Sequence, residues 1–343
     1  MTGLNSKFVK ELARAAGFEL CGICSPQLPD DALEAYDRWL AEGHHGEMTW
    51  LMDSRDRRAD PRQLLPNVKS VIMLGVNYYH PNSDDAPRRC DGIVDRRKPP
   101  QQRTAPPGMG RISRYARGRD YHKVIGKMLK HLAHRLQQEA RTKSQARFFW
   151  WVDYGAFFER AFARKAGLGF LGRNSMLINR DYGSWLFLAE LLTTIELEPD
   201  DPTRIDHGQC GHCRRCIDAC PTGAIVRDGV VDSRRCISYL TIERPSEIPA
   251  GLRPDMSDLL FGCDICQQVC PYNADPPQTG HCELLPCAGV GEYLDCKSVI
   301  DLPDRDAFLR LTAGTPLTRP KLDGLKRNAT IVLENQRRSR KLD

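Results

Sequence analysis

Cys210-Gly211-His212-Cys213-Arg214-Arg215-Cys216-Ile217-Asp218-Ala219-Cys220-Pro221 is the stretch whose spacing decides how this chain is read. A second run, Cys263-Asp264-Ile265-Cys266-Gln267-Gln268-Val269-Cys270-Pro271, closes the same region, and Cys236 stands alone between them. The first run has the C-x2-C-x2-C-x3-C-P spacing in which three cysteines hold one 4Fe–4S cluster and the fourth ligates another. The second run is one cysteine short, and Cys236 is the supplement. Eight thiolates then divide into Cys210, Cys213, Cys216 and Cys270 for one cluster and Cys220, Cys236, Cys263 and Cys266 for the other. Pairs of C-x2-C also build structural zinc sites, but zinc calls neither for a tight three-cysteine run nor for a Cys-Pro at both ends.

The rest of the composition fits an intracellular redox protein. A chain of 343 residues, 41% of them hydrophobic, can bury a sizeable core and suggests about two domains. Fourteen cysteines would imply disulfides in a short secreted chain, but this chain is long and eight of the fourteen are in cluster spacing. No apolar run is long enough to span a bilayer, and MTGLNSKFVKELARAAGF reads as an amphipathic helix rather than an export signal. A reducing cytoplasm, no membrane association and a monomer are expected. Net charge is only +6 but uneven. Ten basic residues from Arg88 to Arg119 meet only Asp91 and Asp95, and the tail adds Lys326, Arg327, Arg337, Arg338, Arg340 and Lys341. Such patches suit a phosphate backbone, and equally a solvated loop and a frayed tail.

Upstream, residues 4–16 predict a helix stopped by Gly17, and Phe18–Cys24 a short strand in which Cys21 and Cys24 are buried thiols. Asp31–Leu40 predicts a second helix, and the glycines around His44-His45 a turn. Ser70–Val76 reads as a buried strand. Residues 81–110, rich in proline and charge, are expected to form a mobile insertion. Asp120-Tyr121-His122 opens a helix to about Ala140; it is a near miss for the D-x-H-x-x-G by which some corrinoid proteins offer a histidine to cobalt, and is read here as a helix start. Phe148–Val152 predicts a buried strand, with Asp153 at its end ahead of a helix over Ala156–Ala166, a common place for chemistry in sheets with helical connections. Gly167-Leu168-Gly169-Phe170-Leu171-Gly172 is formally G-x-G-x-x-G, but it follows a helix and precedes a strand at Ser175–Ile178, the reverse of the dinucleotide order. It predicts a helix stop and a tight loop, open to a flat cofactor. A strand at Trp185–Leu192, a hairpin over Thr222–Asp232 and helices at Asp306–Leu311 and Leu322–Asn335 complete the reading, with Cys282, Cys287 and Cys296 as free thiols.

Taken together these residues resemble the epoxyqueuosine reductase family. The resemblance rests on Arg58-Ala-Asp-Pro61, Asp120-Tyr-His122, Val152-Asp-Tyr-Gly155, Glu159-Arg-Ala161, Ala166–Asn174, Gly183-Ser-Trp185, the eight cysteines, Cys236–Glu243, Gly262–Gln267 and Arg327-Asn-Ala329. It implies an α+β protein: a catalytic α/β domain binding cobalamin over 1–200, a bacterial-type ferredoxin domain with two clusters over 201–280, and a short helical, basic segment over 281–343. It implies reduction of the epoxide of epoxyqueuosine in tRNA to the alkene of queuosine, with electrons from a low-potential donor reaching cobalamin through the clusters. Asp153 would be the proton donor, kept protonated by burial beneath the corrin. By the same resemblance, cobalamin contacts fall on Arg58, Ala116, Asp153, Leu177, Leu188, Ser238, Cys263 and Asp264, and Arg244 with the basic stretches would meet tRNA phosphates. Two other readings share the motifs. A corrinoid reductive dehalogenase has the same cofactors but a tyrosine acid, for which Tyr154 is the candidate; a ferredoxin-type electron carrier would hold the clusters alone.

Overall fold

The apolar stretches around Val71 and Leu191 lie side by side at the centre of one sheet. The protein is described here from a computed structural model covering residues 4–81, 104–140, 146–204 and 208–340. In chain order the strands are β1 (Leu20–Cys24), β2 (Ser70–Asn77), β3 (Met109–Ile112), β4 (Phe148–Trp151), β5 (Phe170–Leu171), β6 (Leu177–Ile178), β7 (Leu186–Thr193), β8 (Ile225–Arg227), β9 (Val230–Val231), β10 (Leu259–Phe261) and β11 (Tyr293–Asp295). The main sheet runs β1-β2-β7-β4 and is antiparallel throughout.

Every residue of β2 is buried because helices cover both faces of this sheet. Ile72, Leu74 and Val76 of β2 join Phe187, Ala189 and Leu191 of β7 under the helices Ser6–Ala15 and Tyr121–Glu139. Alternate residues of a strand face opposite ways, so Val71, Met73 and Leu192 meet Phe157 and Phe162 on the other side, around the helix Glu159–Lys165. At roughly 1.5–3 kcal/mol for each fully buried aliphatic side chain, this two-sided core fixes the register on which the site depends. The helix starts have local causes: Asn5 accepts the Phe8 N–H at 2.9 Å and Asp120 the His122 N–H at 3.1 Å.

Several expectations shift. β4 is not a buried strand but the sheet's edge, with Trp150 36% exposed. The helix expected from Ala156 begins only at Glu159, because the residues between form a tight turn. The glycine loop does make a close approach, but to the chain itself: a Cβ on Gly169 would come within 2.3 Å of the Ile178 carbonyl oxygen in the β5–β6 hairpin. Of the expected insertion, 82–103 lies outside the described residues, whereas 104–110 is built into the fold. Ala105 is buried and donates its N–H to Asp258, and Met109 opens β3.

A second sheet, β10-β3-β11, draws one strand from each of three distant segments and packs on the helix Lys321–Ser339. Its hydrogen bonds cross the expected divisions at 200 and 280. The cluster segment is clamped to the main sheet by Asn273. Its Oδ1 accepts the Ser184 N–H at 2.7 Å, and its Nδ2 donates to Ser184 Oγ and the Gln267 carbonyl, each at 2.8 Å. The clamp requires Gly183, whose φ is +64° and whose missing Cβ would lie 1.9 Å from Asn273 Oδ1. Gly183→Ala is therefore expected to cost at least about 1–3 kcal/mol of stability from the backbone conformation alone, read as a lowered denaturant midpoint with loss of bound iron. An unchanged midpoint would remove Asn273 as the clamp.

Candidate active site and cluster ligands

The eight motif cysteines carry no disulfide. Cys210, Cys213, Cys216 and Cys270 line one cavity of about 850 Å³, with Arg173 and Tyr272 at its wall. Burial, then the neighbouring Cys210 and Cys213, pushes the Cys216 thiol up to about 11, and Cys270 rises likewise. Cys220, Cys236, Cys263 and Cys266 form a second crowd: burial raises Cys263 and Cys266, and the charges of the others add to it. The crowds meet where Cys216 bears on Cys266. Among the described residues no three His, Cys, Asp or Glu side chains close on a point as around a single metal ion; the first set of thiols surrounds a wider space. Crowded thiols that burial keeps protonated are a poor resting arrangement and a good donor set for iron, which deprotonates them.

From the second crowd a short path leads to the main sheet. Asp264, between Cys263 and Cys266, accepts hydrogen bonds from Ser113 Oγ at 2.5 Å and the Arg114 N–H at 2.7 Å. The next residue, Tyr115, sets its ring 6.0 Å from that of Tyr121, whose hydroxyl donates to Asp153. The charges of Asp153, Glu243 and Asp264 all bear on half-buried Tyr115. Three distant segments therefore converge there.

Asp153 stands in a strained turn. Its φ is +60°, and the Tyr154 N–H donates to the Val152 carbonyl at 2.7 Å, closing a three-residue γ-turn with Asp153 at its apex. The positive-φ form of this turn is rare and costly, and it persists only where the surroundings hold it. They do so at both ends: the Asp153 N–H donates to Glu159 Oε1 at 2.9 Å, and the carboxylate receives Tyr121 Oη. His122 Nε2 lies 3.6 Å from Asp153 Oδ2, with Nδ1 tied to Asp120 at 2.7 Å. The Asp153 side chain is 58% exposed, though protein crowds it on its inner side. Without a corrin over it, the carboxyl is set by its protein neighbours alone. Burial alone would raise its pKa, but the hydrogen bonds from His122 and Tyr121 and the charges of His122 and Arg319 outweigh it and hold the carboxyl below its ordinary range. For His122, burial is outweighed by the hydrogen bonds to Asp120 and Asp153, and its pKa is raised. Each group therefore favours the charged form of the other.

His122 is thus more than a helix start. Its ring is one of a stack: Phe187 and Tyr121 centroids are 4.2 Å apart, Tyr121 and His122 3.9 Å, and His122 and Tyr154 4.0 Å. Tyr154, the outermost ring, is 66% exposed. Arg319, which nothing in the sequence flagged, is held by both oxygens of Glu243 and turns its charge toward Asp153.

The other expected contacts are mixed. Arg58, Leu188, Ser238 and Cys263 are half-buried, whereas Ala116, Leu177 and Asp264 are covered by protein. Arg58 donates to the Phe157 carbonyl at 3.0 Å and so braces the Asp153 loop. Much of the expected basic surface is spent internally. Arg111 pairs with Asp258, Arg114 lies over Trp185, and buried Arg117 faces Glu292. Arg244 lies 3.4 Å from Glu47, and Arg327 donates to three carbonyls. Arg88, Arg89, Arg96, Arg97, Lys98, Arg103 and Lys341 lie outside the described residues. Cys21 and Cys24 are strand thiols that burial pushes up to about 12. Among the described residues no helix is long and apolar enough to cross a membrane.

Two crowds of thiols in ferredoxin spacing and a strained, open carboxylate, set in an α+β fold, define the class as an oxidoreductase. Residues 58–153 match the family model described as "Epoxyqueuosine reductase QueG, DUF1730", and 209–273 match the 4Fe-4S double cluster binding domain. Epoxyqueuosine reductase of Gloeobacter violaceus is 39% identical over 95% of this chain and 94% of its own, and that of Synechocystis sp. 44% identical over 89% and 96%. A crystal structure of epoxyqueuosine reductase with a tRNA-Tyr epoxyqueuosine-modified stem loop matches at TM-score 0.80 and 28% identity, covering 96% of this chain and 80% of that one. A Bacillus subtilis epoxyqueuosine reductase, described with its catalytic aspartate loop swung out of the active site, matches at TM-score 0.79 and 29% identity, over 96% and 81%. The chain belongs to the epoxyqueuosine reductase family.

Proposed function

We propose that this chain reduces the epoxide of epoxyqueuosine at the wobble position of tRNA to the alkene of queuosine, the last step in making that nucleoside, in a reducing cytoplasm. What carries the reading is relatedness over nearly the whole chain to proteins of that name. The match to a protein holding a modified stem loop supports it. Breaking both epoxide C–O bonds and forming C=C consumes two electrons and two protons and releases water. Electrons arrive singly from a low-potential donor, and cluster potentials reach down to about −700 mV. The Cys210–Cys270 set, facing the surface cavity, suits their arrival; the Cys263–Cys266 set, on the Tyr115 side, suits their delivery.

Cobalamin, when bound, supplies a strongly reducing cobalt able to attack or deoxygenate the substrate. The residues expected to meet it are of kinds that fit such a group: an exposed carboxylate at Asp153, half-buried Arg58, Leu188 and Ser238, and buried Ala116, Leu177 and Asp264. Asp153 delivers the first proton to the leaving oxygen, restored from His122, and Asp120 holds the imidazole in line. Tyr154 offers a ring face to an unpaired base, the usual way single-stranded RNA is held.

Because the raised His122 pKa keeps its proton below that pKa and releases it above, turnover should hold at low pH and fall as pH rises past the ordinary histidine range near 6.5. A pH profile of kcat with a flat acidic side checks this; a fall toward acid would remove His122 as carrier. The reaction itself is tested by anaerobic incubation of the iron-loaded protein with cobalamin, a low-potential reductant and epoxyqueuosine-bearing tRNA, followed by nucleoside mass spectrometry. Loss of one oxygen from the nucleoside is expected; unchanged epoxyqueuosine would overturn the reading.

A further inference from the structure

Strand β7 carries an acid where its alternation calls for an apolar side chain. Leu188, Glu190 and Leu192 share the face that packs on Phe157 and Phe162. Glu190 is completely shielded from solvent, and neither carboxyl oxygen has a hydrogen-bond partner. Trp151, opposite it in the β4–β7 register, leaves its indole N–H unpartnered as well. A buried polar group in this state calls for an explanation.

Its surroundings supply one. The Asp153 loop lies directly against it: a Cβ on Gly155 would come within 3.2 Å of Glu190 Oε1 and 3.1 Å of the Trp151 ring. Glu159, which holds the Asp153 N–H, bears on Glu190, as does Asp153 itself. Glu159 Oε1 thus meets the backbone of the Asp153 loop at Asp153 and Glu190 Oε1 meets it at Gly155. The charges set against them are Arg58, which bears on both glutamates, and Arg160, which bears on Glu159. Neighbouring like charges, one of them wholly shut off from solvent, do not all ionise, and the protons left behind belong to the group as a whole.

We infer that Glu190 and Glu159 form a proton store beneath Asp153, holding the second proton that epoxide reduction consumes after the Asp153–His122 pair has given the first. The inference rests on the reaction proposed above. Two electrons from the low-potential donor and two protons from the protein release the epoxide oxygen as water; the store is refilled from solvent between turnovers. Burial first, and then the charge of Asp153, pushes Glu159 up to about 8, and burial, then the charges of Glu159 and Asp153, raises Glu190 well above the ordinary carboxyl range, so the pair favours holding protons. Tyr121, whose pKa also rises under the charges of Asp153 and Glu159, stays neutral beside them.

The test compares wild type with Glu190→Gln and Glu190→Leu in the full chain. In protein without cofactors, the infrared carbonyl band of a protonated carboxyl should weaken in both variants. Carboxyls with raised pKa values favour the fold below their unfolded pKa and lose that contribution as pH rises through the folded value. The wild-type unfolding midpoint should therefore drop between about pH 5 and 8, and Glu190→Leu should flatten that drop. In the loaded enzyme, both variants should turn over about tenfold more slowly at pH 8 and converge on wild type in acid, where solvent replaces the store. Glu190→Asp should recover part of the loss. A wild-type pH profile in Glu190→Leu, or an unaltered infrared band, overturns the inference. Wild type that leaves epoxyqueuosine intact would instead overturn the reaction, and the inference with it.

Discussion

Replacing Asp153 with asparagine is expected to lower turnover about 10²–10⁴-fold, the usual worth of a positioned acid or base, while iron, sulfide and bound cobalamin stay at wild-type levels. Asparagine is the informative substitution because it tolerates a positive φ better than most residues and so keeps the turn. It still accepts from Tyr121 Oη but cannot relay a proton. Alanine should be as slow and also less well ordered at the loop, since it strains the turn without holding it. The difference between the two variants in loop protection, read by hydrogen exchange, separates geometry from chemistry. If the asparagine variant turns over at the wild-type rate, the carboxylate is not the acid and His122 must reach the substrate without it.

The second large effect concerns the thiols. Cys236→Ala and Cys266→Ala should each remove the same cluster, leaving about half of the iron and abolishing turnover, because electrons then have no way past Cys216. Cys270→Ala should remove the other. The division is tested by spectroscopy of the reduced variants: Cys236→Ala and Cys266→Ala should give one residual signal in common, and Cys270→Ala a different one. A residual signal shared by Cys236→Ala and Cys270→Ala would show that the lone cysteine serves the outer set, against the crowding of Cys236 with Cys220, Cys263 and Cys266 seen in the fold.

The cysteine spacing and the carboxylate after β4 were legible because each is local: ligands a few residues apart, and a polar residue at the end of an apolar run. Other features became visible only in the fold. Arg111, Arg114 and Arg117 read as basic surface, yet all three are engaged within the protein, because their partners Asp258, Trp185 and Glu292 come from far along the chain. Phe148–Trp151 read as interior from its aromatic rings, but aromatic residues also suit an edge strand. His122 read as a helix start, which it is; its place beside Asp153 depends on a turn 31 residues away. Glu190 did leave a signal, a lone acid inside Leu186–Thr193, and periodicity alone passed over it because one charge does not break a strand pattern.

The turn at Asp153 has a bearing on timing. Its backbone is held uphill by two tethers, Tyr121 Oη and Glu159 Oε1, and a segment so held relaxes outward when either lets go. Making and breaking two hydrogen bonds is then enough to free or fix this one carboxyl while the sheet beneath it stays as it is.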